Sequence, residues 1–199
     1  MKILGAADLH GDLDVAKRLA KKAEQNKVDL ILLCGDIQNE DSLENILKPF
    51  KDKNQKLLLI SGNHESISTA EFLAKINNAK HLHGYSVRYE DIGIFGCGSA
   101  NIGIHGITEK KIFETLKQGF EKIAYLPKKI MMTHVHPTGS KIEKFSNFVK
   151  GSHGVLKAIK ELQPDILLCS HVHEAEGLEE QLEKTKVINV GAEGKIIEL

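Results

Sequence analysis

The sequence predicts an α/β fold. Short apolar runs alternate with stretches of helical periodicity three times in succession from the first residues, each run closes in a turn of glycine and charged residues, and a pair of strand-like segments about a tight turn follows at mid-chain. Lys2–Ala7 is the first apolar run, ending in Asp8-Leu9-His10-Gly11-Asp12, and Leu13–Gln25 then carries Val15, Ala16, Leu19, Ala20 and Ala23 at helical spacing. The cycle repeats with Asp29–Cys34 as a buried-type strand closing at Gly35-Asp36, and with Ser42–Phe50 as a helix stopped near Pro49. Lys56–Ile60 leads into Ser61-Gly62-Asn63-His64-Glu65, after which Ser68 caps a helix reaching Ile76. Three β-α units in a row imply parallel strands with right-handed crossovers.

From there the character changes. Ser86–Glu90 and Gly93–Cys97 flank a turn and read as an antiparallel hairpin, which opens a second sheet or forms an edge of the first. Glu109–Ala124 is a helix with Ile112, Phe113, Leu116, Phe120 and Ile123 on one face, and Lys129–Met132 is a strand delivering Thr133-His134-Val135-His136-Pro137. Val155–Leu162 is helical. Ile166–Cys169 is a strand delivering Ser170-His171-Val172-His173, and Lys186–Val190 and Lys195–Leu199 are the last two strands.

A chain of 199 residues fits one domain, spanning 1–199, that buries about 70% of its unfolded surface. Lys plus Arg and Asp plus Glu each total 27, so no global field recruits a polyanion such as DNA, and an anionic substrate has to be captured locally. The three cysteines, Cys34, Cys97 and Cys169, lie far apart inside apolar runs, which argues against a disulfide framework or a thiolate metal site and for a reducing, cytoplasmic setting. No apolar run approaches the roughly 18 residues of a membrane span, so no membrane partner is expected.

The chemistry-bearing residues sit at the strand exits. Asp8 and His10 are two residues apart, so in an extended segment both side chains point toward one ion. Asp36 follows a fully apolar strand, where its carboxylate needs a cation or a helix N-terminus. Asn63 is either a neutral amide ligand or an ordinary turn residue, and His134 is either a ligand or a hydrogen-bonded core histidine. His171 and His173 alternate on a strand exit and share a face. Together these supply two carboxylates, four imidazoles and one amide, a ligand set for two ions. Lacking thiolate, it suits Mn, Fe, Co, Ni or Zn better than Mg or Ca.

In this order the blocks Asp8-Leu9-His10, Gly35-Asp36, Gly62-Asn63-His64-Glu65, Thr133-His134 and Ser170-His171-Val172-His173 resemble the calcineurin-like metallophosphoesterase family, over residues 8 to 173. The resemblance implies a four-layer α/β/β/α sandwich with two mixed sheets. It also implies a first metal ion on Asp8, His10, Asp36 and His173, and a second on Asp36, Asn63, His134 and His171, with Asp36 as the bridge. His64 is then not a ligand but faces the substrate as electrostatic partner or proton donor. Two departures stand out: Ser170 where glycine is usual, and Val190 where proline is common. Within the family the chain is similar to small prokaryotic phosphoesterases related to cyclic-nucleotide phosphodiesterases, through Thr133–Pro137 and the Gly-Ser turn at 151–152.

The expected activity is therefore hydrolysis of a small phosphodiester by a hydroxide held between two divalent ions, with a phosphomonoesterase and a noncatalytic metal-binding module of the same fold as alternatives. Asp36 and His64 are the expected catalytic residues, with Asn63, His64, His136 and His153 as substrate contacts. His136 could equally be a surface-loop residue. The turn Gly151–Gly154 could seat a second phosphate at a helix N-terminus or simply cap that helix. Ser99–Gly106 could line the pocket mouth or be a plain connection, and His81 and His83 read as surface residues. A nucleic-acid polymer is not an expected partner, and oligomeric state is left open.

Overall fold

A computed structural model describes residues 1–38, 45–146 and 148–199. Among the described residues, eleven strands form two mixed sheets. The first has the order β11-β1-β2-β3-β4, built from β1 (Lys2–Ala6), β2 (Leu30–Cys34), β3 (Leu57–Ile60), β4 (Lys80–His81) and β11 (Lys195–Glu198). The second has the order β5-β6-β7-β8-β10-β9, built from β5 (Ser86–Tyr89), β6 (Ile92–Cys97), β7 (Lys128–Thr133), β8 (Ile166–Cys169), β9 (Glu179–Leu182) and β10 (Thr185–Asn189). Inner pairings are parallel, and the antiparallel pairs β1/β11, β5/β6 and β10/β9 lie at the edges. The mid-chain hairpin thus opens a second sheet.

Side-chain alternation sets the layers. In β2, Leu30 and Leu32 point inward and meet Ile130, Met132 and Leu168 of the second sheet. Ile31 and Leu33 point outward onto α1 (Leu13–Gln25), α2 (Lys48–Asp52) and α3 (Ile67–Ile76). The second sheet mirrors this, with Phe95, Met131 and Leu167 facing Ile112, Leu116 and Ile159 of α4 (Glu109–Glu121) and α5 (His153–Leu162). The result is helix, sheet, sheet, helix. Strands covered on both faces have no polar side to show, which is why β2 and β3 are unbroken apolar runs. Each fully buried leucine contributes about 1.5–3 kcal/mol.

Several local readings are corrected. Pro49 lies in the first turn of α2 rather than ending a helix, as its fixed φ and missing N–H favour; positions 42–44 of the expected helix lie outside the described residues. Ser66, not Ser68, caps α3, its hydroxyl accepting from the Thr69 amide at 3.0 Å. His81 and His83 are half-buried, and the amide of Gly98 donates to His83 Nδ1 at 3.2 Å. The edge strand β9, Glu-Glu-Gln-Leu, has no apolar alternation to announce it.

Parallel pairing brings the carboxyl ends of β1, β2 and β3 to the same end of the sandwich as those of β7 and β8. Backbone bonds join the loops that leave them. The Asp8 amide donates to the Gly35 carbonyl (3.0 Å), His10 to Asp36 (2.9 Å), Gly11 to Ile37 (3.0 Å) and Ser170 to His134 (2.8 Å).

Candidate metal centre

The seven expected ligands converge here. On one side, His173 Nε2 lies 3.7 Å from Asp8 Oδ2 and 3.4 Å from His10 Nε2. On the other, His134 Nε2 lies 3.2 Å from Asp36 Oδ2, 3.0 Å from Asn63 Oδ1 and 3.1 Å from His171 Nδ1. Asp36 stands between the two groups, since its Oδ2 is also 4.0 Å from His10 Nε2 and 3.8 Å from His64 Nε2. Asp8, Asp36 and His134 are buried, while the side chains of His64 and His173 are 51% and 58% exposed. The cluster therefore opens to solvent on the His64 and His173 side.

The donor chemistry fits a cation. His134 Nδ1 faces the Cys34 carbonyl at 2.9 Å and has to donate to it, so Nε2 of the neutral ring carries a lone pair. That lone pair meets an amide oxygen, a carboxylate oxygen and a second imidazole nitrogen, an electron-rich convergence that a proton or a metal ion relieves. Burial alone would lower the His134 pKa, but Asp36 and then Asp8 outweigh it and push it up to about 9, so without metal a proton fills this place. Asp36 is lowered despite its burial, chiefly by His134. His171 is driven down to about 3 by burial and by charge on His134, which keeps it neutral and able to ligate. Asp8 Oδ1 is buried with no hydrogen-bond partner among the described residues.

The backbone is bent to make this cluster. Asp8, His10, Asp36 and His171 have φ of 56°, 45°, 50° and 73°, a left-handed conformation that costs non-glycine residues of order 1–3 kcal/mol each and collects at functional sites. Gly62 makes room for Asp36: a Cβ there would lie 1.9 Å from Asp36 Oδ1.

Two residues given no role by the sequence reading support the cluster. Glu65 is completely buried and clamps two loops, Oε1 accepting from the Gly62 amide (2.8 Å) and Oε2 from Ile37 (3.1 Å) and Gln38 (3.5 Å). Burial, then the charge of Asp36, raise its pKa to about 7. Its signal in the sequence was an acid wedged between a glycine turn and a helix cap. Ser170, at the position where glycine is usual, donates its hydroxyl to Asp8 Oδ2, and Asn189 Oδ1 lies 3.4 Å behind it.

Two expected substrate contacts are not presented to the opening of the cluster. His136 is fully buried, both ring nitrogens lack hydrogen-bond partners among the described residues, and it offers no surface to a ligand; the surface-loop alternative fails equally. His153 is exposed on a depression shared with Lys110, Phe113 and Lys157, away from the ligand residues. Of the two readings of Gly151–Gly154 the helix cap holds, the Ser152 hydroxyl accepting from the Val155 amide at 3.1 Å; the place of a phosphate is taken by Glu109, whose Oε2 accepts from the Gly154 amide and the Ser152 hydroxyl, both at 2.6 Å.

Comparison with known proteins agrees with this geometry. The model of the calcineurin-like phosphoesterases matches residues 1–175. TT1561 of Thermus thermophilus shares 17% identity at a TM-score of 0.75, over 96% of this chain and 88% of that one. An archaeal phosphodiesterase shares 20% at 0.56, over 96% and 84%, and a dimetal phosphatase from Danio rerio shares 10% at 0.66, over 96% and 88%. No curated protein sequence matches the chain. These identities speak for the fold; the family match covers most of the chain, and the chain belongs to the calcineurin-like phosphoesterase family, a metal-dependent phosphoesterase.

Proposed function

We propose that this chain hydrolyses a small phosphate diester with the help of two divalent ions, one held by Asp8, His10, Asp36 and His173 and the other by Asp36, Asn63, His134 and His171. The observation that carries this reading is the position of Asp36, whose single Oδ2 faces both donor groups. When bound, such a pair of ions polarises phosphoryl oxygens and lowers the pKa of water. The donor set favours Mn, Fe, Co, Ni or Zn.

The rest falls to the chain's own residues. His64 stands on the open side with its amide anchored by Asp36 Oδ1 at 3.0 Å and its ring edge-on to His10 at 4.7 Å between centroids. Fixed in this way, its Nε2 is placed to neutralise a nonbridging oxygen or to give a proton to the leaving oxygen. Asn63, half-buried, turns its amide oxygen toward His134 Nε2 at 3.0 Å. Buried, unpaired thiols at Cys34, Cys97 and Cys169 support a reducing, cytoplasmic setting.

The diester reading draws on the Thr133–Pro137 resemblance and on the archaeal phosphodiesterase among the similar structures; a monoesterase is the rival. The test is chelation, reloading with Mn²⁺ or Ni²⁺, and assay on bis-p-nitrophenyl phosphate and p-nitrophenyl phosphate. The diester should be favoured in kcat/KM, and His64→Ala should cut turnover by about 10²–10⁴ with metal content intact. Preference for the monoester, or an unchanged rate in His64→Ala, would contradict the respective part.

A further inference from the structure

Of the eight large apolar side chains that stand exposed among the described residues, four lie on the two loops that follow β6 and β7: Ile102 (49%), Ile104 (83%), Phe145 (52%) and Phe148 (90%). The loops leave the carboxyl ends of β6 and β7, neighbours in the second sheet, and they reach opposite ends of the cluster. Loop 98–106 runs along the Asn63 turn, with the Ser99 amide donating to the Ser61 carbonyl at 2.9 Å. At Gly103, where φ is +91°, the backbone comes so close that a Cβ would meet Asn63 Cβ at 3.3 Å, and Ile102 and Ile104 flank this point. The second loop is an excursion whose ends are paired, Ser152 donating to the His136 carbonyl and Thr138 to the Ser152 carbonyl. Glu143 ties it from within by accepting from the Gly139 and Gly151 amides at 2.7 and 2.9 Å, and its turn Ile142–Phe145 packs against the turn that carries His173. Asn101 links the loops, its amide reaching the carbonyls of Lys150 and Gly151 at 3.4 Å. Loops whose ends lie close together often carry function.

Covering apolar side chains that are held out into solvent with another apolar group is favourable. Resting on the phosphoesterase reading above, we propose that Ile102, Ile104, Phe145 and Phe148 form a clamp for an apolar or aromatic organic group of the ester. The preferred substrate then has a hydrophobic substituent on its phosphate, in contrast to a bare sugar phosphate. Continuity with the metal centre at both ends argues for substrate as the occupant. Lys141, Lys144 and Lys150 on the same loop make an anionic membrane the competing one.

The test compares methyl p-nitrophenyl phosphate with phenyl p-nitrophenyl phosphate, two diesters with one leaving group, on metal-loaded protein. The phenyl ester should be favoured in kcat/KM by about tenfold, the order that one buried apolar group supplies. Ile104→Ser with Phe148→Ser should bring the ratio near one, with metal content unchanged, whereas Phe72→Ser, on an exposed position of α3, should leave it alone. Hydrolysis of both esters with no preference, or a preference untouched by the double variant, overturns the clamp while sparing the phosphoesterase reading; hydrolysis of neither sinks that reading itself. Phosphatidylglycerol vesicles that hold the wild type but release the double variant, with the ester ratio unmoved, would assign the surface to membrane and likewise overturn the proposal.

Discussion

Replacing Gly62 with alanine would set a methyl carbon 1.9 Å from Asp36 Oδ1 and 2.4 Å from the Asp36 amide nitrogen. Ordinary carbon–oxygen contact lies near 3.4 Å, so one of the two loops has to move by more than about 1 Å. The carboxylate cannot simply swing aside, because Oδ1 accepts from the His64 amide at 3.0 Å and Oδ2 is held 3.2 Å from His134 Nε2. Overpacking of this kind costs about 1–3 kcal/mol of stability, and a displacement of about 1 Å at a reacting centre costs on the order of 10² in rate. Gly62→Ala should therefore remain folded, lose metal and fall by about 10²-fold or more in kcat/KM on a p-nitrophenyl ester. Gly139→Ala is the control: its φ is +76° with nothing within 4 Å of the added carbon, so only backbone strain of about 1 kcal/mol is expected. A Gly62→Ala protein with full metal content and wild-type turnover would refute the claim that close approach of these two loops builds the centre.

Glu65→Gln puts amide hydrogens against the backbone N–H groups that the carboxylate now accepts, and should cost about 1–3 kcal/mol in urea unfolding together with weaker metal retention; no change would remove Glu65 as the clamp. Ser170→Ala should weaken metal binding by about 10–100-fold in a competition titration, the usual effect of deleting a hydrogen bond to a ligand, and an unchanged affinity would leave the hydroxyl without a function. His134 supplies the pH dependence. Its folded pKa, about 9, is above the ordinary 6.5, so its contribution to metal-free stability is complete below about pH 6.5 and is lost as pH rises through 9; melting of chelated protein should fall over that window. Because an ion must displace this proton, apparent metal affinity should rise about tenfold per pH unit from 7 to 9, and a flat profile would mean that His134 binds no metal.

The strand exits were legible because each chemical group follows an uninterrupted apolar run: Asp36 after Leu30–Cys34 and His171 after Ile166–Cys169 are charged or polar residues placed where a strand must surface. The alternation within those runs also decided the layers, since Leu32 and Leu33 necessarily face opposite ways. What escaped the sequence was contact through space. Glu109 reaches the N-terminus of α5 across more than forty residues, so a turn that reads as a phosphate seat is already filled. His136 lies in a polar segment, yet it is buried beneath a loop that closes on its own base. The edge strand β9 carries no alternation of hydropathy, because only one of its edges is paired and only Leu182 of its four side chains is apolar, packing part-buried against the core. Pro49 fits both the start and the stop of a helix, and only the position of the remaining turn distinguishes them.

Whether one carboxylate joins two metal positions is decided by anomalous diffraction from crystals of the Mn²⁺-loaded protein. Two peaks about 3.5–4 Å apart are expected on either side of the Asp36 carboxylate, one beside His173 and one beside His134. A single peak, or a pair that Asp36 does not touch, would contradict the bridge.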